Sequence, residues 1–359
     1  MQYITDVREA KEIDRMTIQE IGIPSMVLME KAALAVAGCV KSNAAPESHV
    51  LAVCGMGNNG GDGVAAARML WEDGYPVTVS LIGNEENASE EMKKQLDIAR
   101  KLGIHICTGL PSGEYDVILD ALFGIGLSRE VTGVYEQVIL DMNQSGAMVY
   151  SLDIPSGIDA KSAKVLGCAV QANTTITFGV NKTGLVLHPG CEYAGKVYVA
   201  DIGFPRKSVA FAQADAYYYE PDDIVCNLPK RTAHSHKGTF GRVVVIAGCD
   251  TMSGACFLSA KAAYRMGAGL VHVISTPSNR DTLLSALPEI LFSTRGEIKK
   301  VLPLASAVVI GPGIGLSKES EELVEYVLTN TKVPTVVDGD AITICAKKNI
   351  VFQDNFVLT

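Results

Sequence analysis

Residues 50–63, VLAVCGMGNNGGDG, constrain the fold more than any other stretch of the sequence. An apolar run ends abruptly in a loop rich in glycine and asparagine, and a helical pattern follows over residues 63–73. A strand, a tight loop and a helix in this order direct backbone N–H groups at an anion. The glycines are expected to allow positive φ angles and close approach of a ligand, and they are Gly55, Gly57, Gly60, Gly61 and Gly63. The alternative is a glycine turn that only connects strand to helix.

Apolar strands alternate with helical patterns along most of the chain. Continuous runs of Val, Ile and Leu between helices are typical of parallel sheets that helices cover on both faces. An amphipathic helix capped by Thr5 is predicted over residues 5–20, and a second helix is predicted to begin after Pro24. The main predicted strands cover residues 50–54, 76–82, 104–107, 116–120, 147–153, 174–179, 196–202, 242–247, 270–274 and 306–310.

The chain is predicted to form two α/β domains. Its length of 359 residues favours about two domains. A polar, proline-bearing stretch near residues 217–240 lacks sustained periodicity and interrupts the alternation. We therefore expect a first domain over residues 1–220, a linker over 221–240 and a second domain over 241–359.

Composition excludes several classes of protein. The formal net charge of −9, with no basic cluster, argues against a nucleic-acid partner. The N-terminus lacks the apolar segment of a signal peptide, and no stretch approaches the roughly 18 apolar residues of a membrane span. Nine cysteines without a C-x-x-C pair fit buried thiols in a reducing cytosol better than zinc sites or disulfides. A cytoplasmic protein that acts on a small molecule is expected, with homo-oligomerisation left open.

Three predicted strands of the first domain end in polar, glycine-bearing turns. They are the NNGGD loop, residues 120–130 (DALFGIGLSRE) and residues 151–159 (SLDIPSGID). Ligands of open α/β sheets bind at the carboxyl ends of the strands, so the three turns should meet at one crevice. Arg129 beside two glycine turns suits a pyrophosphate, while Asp120 and Asp153 suit hard cations or proton transfer. For each aspartate alone, capping after a strand is an equally good interpretation.

These motifs, together with LMEKAA at residues 28–33, resemble the NAD(P)H-hydrate epimerase domain. Residues 231–271 resemble the start of the ADP-dependent NAD(P)H-hydrate dehydratase domain, and the order is that of bifunctional nicotinamide-nucleotide repair enzymes. The resemblance implies a Rossmann-like three-layer αβα first domain followed by part of a ribokinase-like α/β domain. It also implies an isomerase that interconverts the R and S hydrates of NADH and NADPH. The second domain would be a lyase that dehydrates the S hydrate with ADP or ATP.

Carried over by position, the resemblance also implies the site residues. Those that would bind the hydrate are Asn58, Asn59, Gly60, Gly61, Asp62, Gly124, Ile125, Gly126, Leu127, Ser128, Arg129, Glu130 and Asp153, with Ala255, Gly313 and Gly315 in the second domain. A potassium ion would be held by Asn59, Asp120 and Ser156, whose oxygens suit a hard monovalent cation. Epimerisation at C6 needs a proton shuttle. Asp153 is the predicted catalytic residue, and Asp62 is the alternative.

The second domain departs from the family's pattern. The GPGIG turn at residues 311–315 is present, whereas the family's DAD reads Asp338-Gly-Asp340, and the later segments that bind nucleotide phosphates are absent from this sequence. A dehydratase that is inactive in the 359-residue chain is therefore expected. The alternatives are a non-enzymatic scaffold with the same first-domain fold, which would not need Asn59, Asp120 and Asp153 together, and a small-molecule kinase. The missing Walker lysine and the missing phosphate-binding end disfavour the kinase.

Overall fold

A computed structural model describes residues 2–212, 214, 216–228 and 231–359. The chain divides into two compact units, Met1–Leu228 and Pro229–Thr359, called the first and second unit below. Each is built on a parallel sheet with helices on both faces, so the two-domain α/β prediction is confirmed. Helix α9, defined below, lies inside the predicted linker, and the predicted boundaries stay a prediction.

The first unit contains a seven-stranded parallel sheet in the order β4-β3-β2-β5-β6-β7-β9. A second, three-stranded sheet has the order β10-β1-β8, with β1 antiparallel to β10 and parallel to β8. The strands are β1 (Gln2–Thr5), β2 (Val50–Cys54), β3 (Val77–Leu81), β4 (His105–Thr108), β5 (Val117–Ala121), β6 (Met148–Leu152), β7 (Thr174–Phe178), β8 (Asn181–Lys182), β9 (Lys196–Ala200) and β10 (Ala216–Tyr218).

The helices of the first unit cover both faces of its large sheet. Val50, Ala52 and Cys54 belong to one apolar cluster, whereas Leu51 and Val53 belong to another, because successive side chains of a strand point to opposite faces. The helices are α1 (Val7–Arg15), a π-helix (Met16–Ile21), α2 (Ser25–Lys41), α3 (Asn58–Glu72), a 3₁₀ helix (Glu85–Asn87), α4 (Glu90–Leu102), α5 (Val134–Gln144), α6 (Thr183–Val186), α7 (Gly190–Tyr193), α8 (Arg206–Phe211) and α9 (Pro221–Asn227).

The N-terminal helix begins differently from the prediction. Asp6, not Thr5, caps α1, because the Asp6 carboxylate accepts hydrogen bonds from the Arg8 and Glu9 N–H groups and Glu9 reaches back to the Asp6 N–H. Thr5 instead ends strand β1, and its hydroxyl donates to the Asn181 carbonyl at 3.0 Å. The first strand is thereby joined to β8.

The glycine loop after β2 also differs from the prediction. Helix α3 begins at Asn58 rather than near residue 63, and none of the five glycines has a positive φ. Except at Gly57, which has nothing within 4 Å, their small size is needed for packing instead. A Cβ on Gly55 would lie 2.1 Å from the Leu122 carbonyl oxygen, and a Cβ on Gly60 would lie 1.8 Å from the Gly55 carbonyl oxygen. Gly55 and Gly60 therefore bring backbone against backbone within the protein.

The second unit contains a six-stranded parallel sheet in the order β13-β12-β11-β14-β15-β16. Its strands are β11 (Arg242–Ile246), β12 (Leu270–Ser275), β13 (Leu291–Thr294), β14 (Ala307–Ile310), β15 (Thr335–Val337) and β16 (Phe356–Leu358). Its helices are α10 (Ser253–Arg265), α11 (Arg280–Ala286), α12 (Ile298–Val301), α13 (Lys318–Asn330) and α14 (Asp340–Lys348), with 3₁₀ turns at Lys237–Phe240, Pro277–Asn279, Arg295–Glu297 and Leu302–Leu304. Among the described residues, no helix is both long and apolar enough to cross a membrane.

Candidate active site in the first unit

A cleft of about 950 Å³ opens at the carboxyl ends of β2, β5 and β6. The turns after these three strands line it together, as expected for an open parallel sheet. The predicted residues that line the cleft are Asn58, Asn59, Asp62, Gly124, Ile125, Gly126, Leu127, Ser128, Arg129 and Asp153. The structure therefore brings most of the predicted site together.

Five predicted residues do not line this cleft. Gly60 and Gly61 are buried in the first turn of α3, where their lack of a Cβ serves packing. Glu130 lines a smaller neighbouring pocket of about 210 Å³. Asp120 and Ser156 are fully buried behind the turn that contains Gly124. These five positions can shape the cleft without facing it.

Asp153 forms a buried ion pair with a residue that the sequence did not single out. The Lys182 Nζ lies 2.5 Å from the Asp153 Oδ1, and the two side chains are only 3% and 12% exposed. Thr177 and Phe178 donate to the same oxygen at 3.3 Å through a hydroxyl and a backbone N–H. The pair thus places a fixed carboxylate at the wall of the cleft.

Lys182 is held in one position by three hydrogen bonds. Besides Asp153, its ammonium group donates to the Thr177 hydroxyl at 2.8 Å and to the Phe178 carbonyl at 2.9 Å. The residue lies on the short strand β8, whose pairing with β1 joins positions 176 residues apart. In the sequence Lys182 stands in FGVNKTG (residues 178–184), between two polar residues, and none of the predicted site motifs includes it.

Two further carboxyl groups lie in the cleft near Asp153. Asp62 comes from the first turns of α3 and Asp14 from the last turn of α1. Burial raises the pKa of Asp62 well above its usual range, and the charges of Asp153 and Asp14 raise it further. Burial and the Asp153 charge raise the pKa of Asp14 to about 6. The cleft therefore contains carboxyl groups that keep a proton at higher pH than usual.

Asp120 organises the turn beneath the cleft. Its two oxygens accept hydrogen bonds from the Ser151 hydroxyl at 2.7 Å, the Ser156 hydroxyl at 2.6 Å and the Ser156 N–H at 2.9 Å. The Ser156 hydroxyl also accepts the Phe123 N–H at 2.8 Å. Burial raises the Asp120 pKa, although these hydrogen bonds oppose the shift. In the described part of the chain, no ion pair includes this carboxylate.

Asn59 presents an unpaired amide beside the same turn. Both its Oδ1 and its Nδ2 are buried, and neither has a hydrogen-bond partner among the residues that the structure describes. A Cβ on Gly124 would lie 3.3 Å from the Asn59 Cγ, so the amide rests against the turn that Asp120 and Ser156 support. An amide oxygen, a carboxylate and a hydroxyl form a donor set for a hard cation. No group of three or more His, Cys, Asp or Glu side chains that could hold a metal ion occurs among the residues described.

The predicted residues of the second unit also meet one another. A Cβ on Gly313, which has a φ of 57°, would lie 3.0 Å from the Ala255 Cβ. The Gly315 N–H donates to the Asp340 carboxylate at 2.8 Å. Arg295, which the sequence reasoning missed, joins the two loops because it donates to the Gly248 and Ile314 carbonyls, each at 2.8 Å.

Comparison with known protein families gives two matches. Residues 25–184 match the family described as YjeF-related protein N-terminus. Residues 243–359 match the family described as NAD(P)H-hydrate dehydratase. The first match contains Asp62, Asp153 and Lys182, whereas Asp14 lies before it.

Three similar proteins extend this comparison. The bifunctional NAD(P)H-hydrate repair enzyme Nnr of Thermofilum pendens is 34% identical over 366 residues, which cover 96% of this chain and 69% of the relative. The NAD(P)H-hydrate epimerase of Oenococcus oeni is 43% identical over 198 residues, which cover 55% of this chain and 94% of that enzyme. The crystal structure of yeast ynu0 (YNL200c) matches with a TM-score of 0.53 at 21% identity, covering 61% of this chain and 97% of that one. At this identity the structural likeness shows the fold alone.

Proposed function

Because the chain belongs to the family of bifunctional NAD(P)H-hydrate repair enzymes, we propose that its first unit interconverts the R and S hydrates of NADH and NADPH. The observation that carries the proposal is the buried Asp153–Lys182 ion pair at the wall of a cleft large enough for a nucleotide. A structural scaffold has no need of an ion pair whose desolvation opposes its stability.

Asp153 is proposed as the group that moves a proton at the C6 oxygen. Changing the configuration at C6 requires the hydroxyl to leave and return, or the ring to open and close. Both routes need a positioned acid or base. Lys182, Thr177 and Phe178 fix the Asp153 carboxylate, so its position does not depend on the substrate. Asp62 stays the alternative, and burial raises its pKa well above the usual range, which suits a proton donor.

The turn at residues 124–129 is proposed to hold the charged part of the substrate. The Arg129 side chain is exposed and makes no hydrogen bond or ion pair within the described residues. A guanidinium group pairs well with the oxygens of a pyrophosphate. Glu130 lines the neighbouring pocket, and its proposed contact with the hydrate needs a substrate that reaches beyond the main cleft.

A potassium ion is proposed to bind at Asn59, Asp120 and Ser156. The residues present fit such an ion, because the Asn59 amide has no partner and the buried Asp120 carboxylate has no counter-charge in the described chain. A bound cation would supply that charge and stabilise the turn that contains Gly124. Comparing thermal unfolding in potassium and lithium salts tests the proposal, and an unchanged midpoint would contradict it.

The second unit is proposed to supply residues that contact the S hydrate in a dehydratase site that uses ADP or ATP. Ala255 and Gly313 lie against each other, Gly315 follows in the same turn, and the resemblance to the family implies hydrate contacts at all three positions. The expected inactivity of this half in the 359-residue chain stays a prediction. Nucleotide-dependent recovery of NADH absorbance at 340 nm would contradict the expected inactivity of this half. A cytoplasmic location and homo-oligomer formation also stay predictions.

The epimerase proposal is tested with one isolated epimer of NADH hydrate. The purified chain should restore the equilibrium mixture of R and S hydrates much faster than buffer does, as followed by chromatography. Bound but unconverted hydrate would instead favour the scaffold interpretation. The same assay on the Arg129→Ala variant should show a raised KM with kcat unchanged, because the lost contact binds the ground state and the transition state equally.

A further inference from the structure

We propose that Asp14, on the N-terminal helix, is a second proton-transfer residue of the epimerase and acts together with Asp153. The inference rests on the proposed epimerase function and assigns a role to a residue outside the matched family region. It places one carboxyl group on α1 and the other at the end of β6, on different elements that line the same cleft.

The N-terminal segment is built into the site. Strand β1 pairs with β8, the strand that carries Lys182, and the Thr183 hydroxyl donates to the Thr5 carbonyl at 3.1 Å. Helix α1 follows directly, and Asp14 in its last turn lines the cleft. The same short segment therefore holds the lysine partner of Asp153 in position and brings in another carboxyl group.

The Asp14 carboxylate has no structural task that would explain its burial. No hydrogen bond or ion pair to it occurs within the described residues, in contrast to Glu12 on the same helix, which pairs with Arg15. A partly buried, unpaired carboxylate beside another carboxylate reduces the stability of a fold. Groups of this kind are concentrated at functional sites.

The reaction itself calls for two proton carriers. The R and S hydrates differ in the face of the ring that carries the hydroxyl, so oxygen must be protonated on one face and deprotonated on the other. In the leave-and-return route, the C6–O bond breaks as Asp14 gives its proton to the oxygen, which departs as water, while the N1 lone pair forms a C6–N1 double bond. Water then adds to the opposite face, the π electrons return to N1, and Asp153 takes the surplus proton. The reverse reaction exchanges the two roles.

The charges around Asp14 favour one proton shared by Asp14 and Asp153. The reason is that Lys182 supplies only one positive charge to three carboxyl groups, Asp14, Asp62 and Asp153. Lys11 of the same helix also lines the cleft.

Helix α8 packs on α1, and its charged residues, Arg206 and Lys207, are exposed. A pKa of about 6 lets Asp14 both donate and accept a proton near neutral pH.

The test compares three variants of the full chain with separated epimers as substrate. Asp14→Asn should lower kcat by about 100-fold or more, with KM within about threefold, because a positioned proton carrier is lost. Asp14→Glu should keep part of the activity. Glu12→Gln removes a negative charge from the same helix outside the cleft, and it should leave the rate unchanged.

The pH profile separates proton transfer from a structural role. In the unmodified chain, kcat/KM should fall as pH rises above about 6, because Asp14 then loses the proton that it must donate. This decrease of kcat/KM with rising pH should persist in Asp14→Glu and be absent from Asp14→Asn.

An Asp14→Asn variant with unchanged kcat would overturn the inference. So would a variant that loses only affinity for the substrate and keeps the decrease of kcat/KM with rising pH. If Asp14→Asn does not fold, the Asp14→Glu variant provides the test. A longer carboxyl side chain must move the proton less well, so a pH–rate profile of Asp14→Glu that is identical to that of the unmodified chain would also overturn the inference. An unmodified chain without epimerase activity would refute the proposed function itself.

Discussion

Replacing Lys182 with methionine should destabilise the first unit and abolish its proposed activity. Lys182→Met keeps a long apolar side chain but removes the ammonium group, whose Nζ lies 2.5 Å from the Asp153 Oδ1. Asp153 would then be a buried carboxylate without a counter-charge, next to Asp62 and Asp14. Removing one partner of a buried ion pair typically costs about 3–5 kcal/mol. The Thr177 and Phe178 oxygens lose their donor as well, which places the expected loss at the upper end of this range.

Urea denaturation followed by tryptophan fluorescence measures this loss. The chain has a single tryptophan, Trp71 in α3, so its signal reports on the first unit. Lys161→Met serves as the control, because Lys161 is exposed and its side chain makes no hydrogen bond or ion pair among the described residues. Its effect should stay within about 0.5 kcal/mol.

A double-mutant cycle isolates the interaction of the pair. When Asp153→Asn is combined with Lys182→Met, the double variant should lose less stability than the sum of the two single variants, by about 2 kcal/mol or more. A loss below about 1 kcal/mol in Lys182→Met, or additive effects, would refute the view that a buried ion pair holds the carboxylate in place.

Three further predictions concern other parts of the molecule. Folding raises the pKa of Asp14 from 3.8 to about 6, so ionisation of this carboxyl group opposes folding increasingly as pH rises between these two pKa values. Asp14→Asn should therefore raise the free energy of unfolding by up to about 3 kcal/mol at pH 7 and change it little at pH 4, as measured by urea titrations at both pH values. Asp120→Ala should abolish any thermal stabilisation that potassium gives over lithium; a persistent difference would place the cation elsewhere. Arg295→Met should lower the stability of the second unit by about 2–4 kcal/mol, because the buried carbonyls of Gly248 and Ile314 lose their donor. Limited proteolysis within residues 248–254 should become faster in this variant, and an unchanged rate would contradict the role of Arg295 in joining the two loops.

The strands and the position of the cleft could be predicted because they follow from local patterns. Strands β2 and β5 are continuous apolar runs that end in polar turns, and both features lie within about ten residues. The rule that ligands bind at the carboxyl ends of parallel strands then brings the turns together without knowledge of side-chain positions. The proposed site could therefore be drawn from Asn59, Asp62 and Asp153 in the sequence.

The lysine and the second carboxyl group could not be found in this way. Lys182 reaches Asp153 only because β8 leaves the large sheet and pairs with β1, a contact between residues far apart in the chain. Asp14 sits on an amphipathic helix, where an aspartate is an ordinary surface residue until the packing is known. No local pattern encodes either position.

The glycine loop shows a different limit of sequence reasoning. A positive φ and a close backbone contact both require the absence of a Cβ, so the residue type alone cannot separate them. At Gly55 and Gly60 the contact is the reason, since each Cβ would lie within 2.1 Å of a carbonyl oxygen.

The most direct test of the central claim compares the unmodified chain with Asp153→Asn in the interconversion of separated hydrate epimers. Asparagine keeps the shape of the side chain but cannot carry the proton. We expect rapid interconversion by the unmodified chain and a rate at least about 100-fold lower in the variant, with both proteins folded as judged by Trp71 fluorescence. Equal rates for the two folded proteins would contradict the assignment of Asp153, and no acceleration by the unmodified chain would contradict the epimerase function.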